Sequence, residues 1–135
     1  LGPVGIINFE LDWALALTAK GSALAAADIF QVVNLPAGSA ILSGGAEVLT
    51  ASGSDTCSGT VDVDIGGGDD IVDGGDITSA AYLTTKTGGA FATTVGIQVT
   101  SADTLDITLK TLGGALTTGK VRVWVLIADI SQRLA

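Results

Sequence analysis

The ten residues Lys120–Asp129, KVRVWVLIAD, set Val121, Val123, Val125 and Ile127 on one phase of a two-residue period and Arg122, Trp124 and Leu126 on the other. Alternate side chains of an extended chain leave on opposite faces, whereas a helix would scatter these positions round its circumference. The stretch therefore reads as a β-strand with one wholly apolar face. Its other face, carrying Trp124 and Leu126 beside Arg122, reads as partly covered too.

The same period recurs upstream. Val61, Val63 and Ile65 alternate with Asp62 and Asp64; Val95, Ile97 and Val99 with Gly96, Gln98 and Thr100; Leu105, Ile107 and Leu109 with Asp106, Thr108 and Lys110. From Phe9 the apolar phase runs Phe9, Leu11, Trp13, Leu15, Leu17, with Glu10, Asp12, Ala14, Ala16 and Thr18 between. This run also reads as a strand, with a helix as its competitor because Ala and Leu are good helix formers. IFQVVNL (Ile29–Leu35) and AILSGGAEVL (Ala40–Leu49) read as strands buried on both sides or bent at Gly44–Gly45. LPAGS, ASGSD, GGGDD, DGGD, KTGG and LGGALTTG punctuate the runs, the last suiting a wide hairpin loop between the final two long strands. GSALAAAD (Gly21–Asp28) has helical composition but is too short to build a layer.

Seven to nine short strands without a helical layer predict one all-β domain, a β-sandwich of jelly-roll-like topology. Residues 1–8 read as an N-terminal arm or first edge strand, and residues 9–135 as the sandwich. A chain of 135 residues can bury roughly two-thirds of its unfolded surface.

Composition narrows the function classes. Hydrophobic residues make up 47% and charged residues only 15%, so the surface is short of charge and part of it is expected to face another subunit. The net charge of −8 would repel a phosphate backbone or an anionic bilayer, which argues against nucleic acid and membrane partners. No run of about 18 apolar residues is present to span a bilayer, and no secretory signal pattern opens the chain. Met is absent, so Leu1 is not an initiator and upstream residues are expected to have been removed or to lie outside this sequence.

Catalysis finds little support. His is absent, so neither Cys57 nor any Ser has an imidazole base, and no His-based metal site can form. Cys57, the only cysteine, reads as a small residue in a Ser/Gly-rich loop. Seven of the fourteen acids lie between Asp55 and Asp76. A glycosidase would need two opposed carboxyls, but Asp62 and Asp64 share one strand face and read as a solvated face. The chain is expected not to be an enzyme and to need no cofactor.

Gly66–Asp76, GGGDDIVDGGD, admits two readings, since Asp supplies calcium ligands and Gly with Asp also make tight turns. Gly68, Asp70 and Val72 fall in register with the calcium-binding nonapeptide of repeat-in-toxin proteins, which the segment resembles. Gly74 and Gly75 would begin a second copy, but Asp76 and Ile77 do not continue it. A lone copy supplies half of each site, so the segment reads as a loop between strands. Asp69, Asp70, Asp73 and Asp76 are left as a weak cation-site candidate.

A broader resemblance covers Asp28 to Asp129. IFQVVNLPAGSAIL, then VDVDIGGGDDIVDGGDITSAAY, then TLDITLKT and GKVRVWVLIAD together resemble a family of small structural proteins of tailed bacteriophages. The family has a Leu-Pro-Ala-Gly turn after an early strand, a Gly/Asp-rich segment after a middle strand, and a Val-rich closing strand. Such proteins resemble head decoration (cement) proteins. The resemblance implies an oligomer, often a trimer, on the outer surface of the virion capsid, bound to the major capsid protein and without catalytic residues.

The uncharged N-terminal segment LGPVGIINF is the matching docking arm, with Leu1, Pro3, Val4, Ile6 and Ile7 as its contact residues, or else an ordinary first strand. The alternative from another class is a tail- or fibre-associated module that recognises a receptor or glycan, against which scarce aromatics weigh. A calcium-dependent adhesin fragment is the third reading.

Overall fold

The alternation of Lys120–Asp129 is realised: Val121, Val123 and Val125 are fully buried, while Arg122, Trp124 and Leu126 are half-buried on the other face. A computed structural model of the chain describes residues 4–52, 57–65, 71–80, 82–83 and 97–129. Along the chain come β1 (Val4–Asp12), α1 (Trp13–Lys20), β2 (Ile29–Leu35), β3 (Ser39–Thr50), β4 (Ser58–Ile65), β5 (Val72–Asp76), β6 (Tyr82–Leu83), β7 (Ile97–Val99), β8 (Asp103–Gly113) and β9 (Lys120–Asp129). All strand pairs are antiparallel.

The strands form two sheets. One runs β1-β9-β3-β6, with β7 also pairing β3; the other runs β2-β8-β4-β5. Their facing sides make one core, with Ile41, Val121, Val123 and Val125 from the first sheet and Val61, Val63, Leu105, Ile107 and Leu109 from the second. The molecule is an all-β sandwich, as the patterning predicts.

Several local readings need correction. The run from Phe9 does not stay extended. β1 ends at Asp12, whose Oδ1 accepts from the Ala14 N–H at 2.9 Å and so caps α1. Gly21 closes the helix in the left-handed region (φ +74°), donating to the Leu17 carbonyl at 3.0 Å. Trp13 and Ala16 thus share a buried face, and Leu15 turns outward at 69% exposure. Strong capping on Ala- and Leu-rich sequence overrode the two-residue alternation. Gly21–Asp28, in contrast, is irregular: Lys20 Nζ donates to Asp28 Oδ2 at 2.6 Å and to the Ala23 carbonyl at 2.9 Å.

LGGALTTG is an arch between sheets rather than a hairpin, because β8 and β9 belong to opposite layers and Leu116 is buried in the connection. β2 is an edge strand with most of its residues half-buried or exposed, not a doubly covered one. β3 has bulges between Ile41 and Ser43 and between Val48 and Thr50, whereas Gly44 and Gly45 keep regular register. Finally, Asp62 and Asp64 are not on a solvated face: they are 8% and 2% exposed. β4 lies between β8 and β5, so the outer side of that strand is flanked on both sides.

Trp13 joins the layers. It is fully buried, its backbone N–H donates to the Gly119 carbonyl at 3.0 Å, and its ring meets Phe30 of β2 edge-on at 5.8 Å. Cys57, 8% exposed, enters β4 as part of the core.

Candidate functional site

The two outer faces of the sandwich differ in chemistry. Outside the β1-β9-β3 sheet, the pairing aligns Val4–Ala128–Ala40, Ile6–Leu126–Ser43, Asn8–Trp124–Gly45 and Glu10–Arg122–Glu47. Three rows are largely apolar and the fourth is charged. Val4 and Ile6 are 61% and 67% exposed, and Leu42, the extra residue of the first β3 bulge, is 43% exposed. Trp124 lies flat across Gly45: a Cβ there would sit 2.9 Å from the indole nitrogen and 3.1 Å from two ring carbons. Glycine at this position is what lets the indole lie against the sheet. In the charged row, Arg122 donates to Glu47 Oε2 at 2.9 Å.

At the end of this sheet an apolar crevice of about 270 Å³ is lined by Val4, Gly5, Ile7, Pro36, Ser39, Ile127 and Asp129. Gly5, Ile7, Ser39, Ile127 and Asp129 share the core-facing phase of their strands, so it lies on the inner side of the sheet rather than on the outer face. It opens at the end of the sandwich where β1 begins and the β2–β3 turn passes.

The outer face of the β2-β8-β4-β5 sheet is acidic. Asp62 and Asp64 on β4 stand opposite Thr108 and Asp106 on β8, and Gln31 on β2 stands opposite Asp106. Asp62 Oδ1 accepts from the Gly74 N–H at 2.7 Å and lies 3.6 Å from Lys110 Nζ. Lys110 also pairs with Asp73. Asp106 accepts from the Thr104 hydroxyl at 2.6 Å. A lysine and a backbone N–H thus tie β5 to β4 and β8 through the acids, so these carboxylates have a structural part.

The sequence-predicted residues are distributed accordingly. Leu1 and Pro3 lie outside the described residues. Val4 and Ile6 stand on the apolar outer face, while Ile7 turns to the other side of β1 and packs against the core. Asp69 and Asp70 also lie outside the described residues. Asp73 is engaged by Lys110, and Asp76 Oδ1 accepts from the Thr78 N–H at 2.8 Å and its hydroxyl at 2.6 Å, which holds the Asp76 carboxyl below its ordinary value. Asp73 and Asp76 belong to β5, so the second half of GGGDDIVDGGD is strand. Among the described residues no three His, Cys, Asp or Glu side chains converge as a metal site requires.

The sequence marks Trp124 and Leu126 as a second, partly covered face of β9, because that strand carries large apolar residues on both phases, but it does not mark Leu42. Leu42 could not be found this way, because a bulge shifts the phase of its strand.

A second concavity, of about 450 Å³, lies at the β2–β8 end and is lined by Gln31, Asn34, Leu35, Pro36, Ala102, Asp103 and Thr104.

No family model and no curated protein sequence matches this chain. Among solved structures it is similar to a chain of the capsid asymmetric unit of cyanophage Pam1, at 19% identity and a TM-score of 0.69, covering 94% of this chain and 85% of that one. A chain of the capsid of Ralstonia phage GP4 matches at 14% identity and a TM-score of 0.68, covering 97% of this chain and 87% of that one. A chain of the acid-stable capsid of Helicobacter pylori bacteriophage KHP30 matches at 14% identity and a TM-score of 0.60, with 97% and 92% covered. The chain shares its fold, over nearly its whole length, with proteins found in three phage capsids.

Proposed function

We propose that this chain is a non-enzymatic virion protein that decorates the outer surface of a phage head and cements it by binding across joints of the major capsid protein. The observation that carries this reading is the likeness, near full length in both directions, to chains from three phage capsids. The resemblance of its turn segments to small tailed-phage structural proteins points the same way. The strand order fits a jelly roll, with β6 and β7 together taking one strand position on β3.

The mechanism is mechanical. A rigid sandwich fixed to several coat subunits adds buried area that must be broken before the shell can spread under the pressure of a packed genome. Copies associate as a homotrimer, so several docking segments reach the shell at once and later contacts form at high effective concentration. The docking segment is the N-terminal stretch holding Leu1, Pro3, Val4, Ile6 and Ile7. Val4 and Ile6 suit it through their exposure, and Ile7 acts by seating the strand on the core.

The test uses heads assembled without this protein. Purified chain is mixed with them and pelleted, and the resistance of the heads to heat is compared with and without it. Saturable binding with a raised disruption temperature is expected; a chain that stays in the supernatant at micromolar concentration refutes the proposal. The alternative, a glycan- or receptor-binding module of a tail or fibre, draws on the polar side chains Gln31, Asn34, Asp103 and Thr104 in the wall of that concavity. Retention on a glycan array without head binding would favour it.

A further inference from the structure

We propose that the outer face of the β1-β9-β3 sheet is the side that lies against the shell, and that the acidic face of the opposite sheet points to solvent. This deepens the decoration reading and rests on it. The contact is then a surface drawn from three strands, of which the N-terminal stretch supplies one row.

Two observations carry it. First, Val4, Ile6 and Leu42 keep much of their surface exposed on or beside one sheet face, next to half-buried Trp124 and Leu126. Exposing these side chains is unfavourable unless something covers them. Second, the opposite face is unsuited to close docking. Asp62, Asp64 and Asp106 are already buried carboxylates, and covering them with another protein would remove what solvation they and Asp73 retain.

The size of the face decides between occupants. Strands lie about 4.8 Å apart and alternate residues about 6.8 Å apart, so three rows on three strands span roughly 300 Å². A stable pair of proteins covers about 800 Å² on each partner. Two copies joined face to face through this patch alone would therefore separate readily. A shell repeats the same contact at equivalent positions, and an oligomer can engage several of them together. The partner surface has a stated chemistry: aliphatic groups opposite Ile6, Leu126 and Leu42, and neutral or basic groups near Glu10 and Glu47.

Co-sedimentation with heads lacking this protein tests the assignment, with light scattering for oligomeric state and thermal melting for fold. Ile6→Asp and Leu42→Asp place a carboxylate on the proposed contact from two different strands. Ile6→Ser removes the apolar group without adding charge, as a milder variant. Ile29→Asp adds the same charge to an exposed position on the opposite sheet. The expected result is at least tenfold weaker binding for the first two, an intermediate loss for Ile6→Ser, and binding within twofold of wild type for Ile29→Asp. Wild-type binding by Ile6→Asp and Leu42→Asp, with loss in Ile29→Asp, overturns the inference and leaves decoration standing. Dissociation of the oligomer by Ile6→Asp with shell binding retained also overturns it, since the face would then join copies. Failure of the wild-type chain to bind any head sinks the decoration reading itself.

Discussion

Gly45→Ala should destabilise this protein, against the usual direction for glycine in a strand. Replacing Gly by Ala at an unstrained position ordinarily stabilises by about 0.4–1 kcal/mol, because the unfolded chain loses freedom. At Gly45 the added methyl would stand 2.9 Å from Trp124 Nε1 and 3.1 Å from Cε2 and Cζ2, so the indole has to lift from the sheet. One face of an indole is about half of the 150–250 Å² that a Trp buries, or roughly 100 Å². At about 25 cal/mol per Å², losing between half and all of that contact costs roughly 1–2.5 kcal/mol. The net effect is about 1 kcal/mol of destabilisation, or a melting temperature about 4 °C lower for a chain of this size. Denaturant unfolding followed by circular dichroism measures the energy, and tryptophan emission reports the ring. Trp13 is fully buried, so a red shift reports Trp124. The decisive control is the same change in a Trp124→Ala background, where Gly45→Ala should turn stabilising by about 0.5 kcal/mol. Equal destabilisation in both backgrounds would show that the indole is not the cause.

Further outcomes are expected elsewhere in the fold. Asp12→Ala removes the cap that Ala14 N–H donates to and should cost about 1 kcal/mol in denaturant unfolding, with Asp12→Asn retaining most of it. Trp13→Ala empties the junction between the layers and should cost roughly 3–5 kcal/mol, enough to lower the melting temperature by more than 10 °C. Lys110→Met leaves Asp62 and Asp73 without their shared cation and should lower the melting temperature by a few degrees, an effect that shrinks in 1 M salt. Asp28 is held below its ordinary value of 3.8, first by the hydrogen bond from Lys20 and then by the Ala25 N–H. A carboxylate with a depressed folded pKa stabilises fully above its unfolded value and loses that contribution as pH falls through the folded one. Melting temperature should therefore fall below about pH 4, and Asp28→Asn should flatten that slope while leaving it unchanged in sign.

The layers of the fold were legible because β-patterning is a local code. In β8 and β9, Leu105, Ile107, Leu109, Val121, Val123 and Val125 alternate strictly and are all fully buried. What the code could not carry was the partner of each strand. LGGALTTG has the composition of a hairpin turn, yet its strands go to opposite sheets, because nothing in a turn's residues says which layer the next strand joins. Asp62 and Asp64 misled for a related reason. Alternating acids imply a wet face only on an exposed strand, and the position of β4 between β8 and β5 is a property of the whole topology. The helix of Trp13–Lys20 was visible in its Asp cap and closing Gly21, but two periods coincided over Trp13, Leu15 and Leu17. On the apolar outer face, Val4 and Ile6 could be read from a stretch without charge. Trp124 needed the knowledge that Gly45 lies beside it on the neighbouring strand.

The position of β9 sets the order of events during folding. It is the last strand in the described chain, yet it lies between β1 and β3, with Val4 opposite Ala128 and Ser39 opposite Asp129. A ribosome would release β1 long before its neighbour exists, and the central seam of that sheet can close only after β2 to β8 have been synthesised. Pairings this distant in sequence put the chain among slow folders, in the millisecond-to-second range. Until then the valines of a growing chain have no layer to meet, and its strands offer open edges to other chains. Shortening the chain from the end of β9 should accordingly give insoluble product sooner than an equal cut in the β8–β9 connection, a cost measured in yield rather than in contact with any partner.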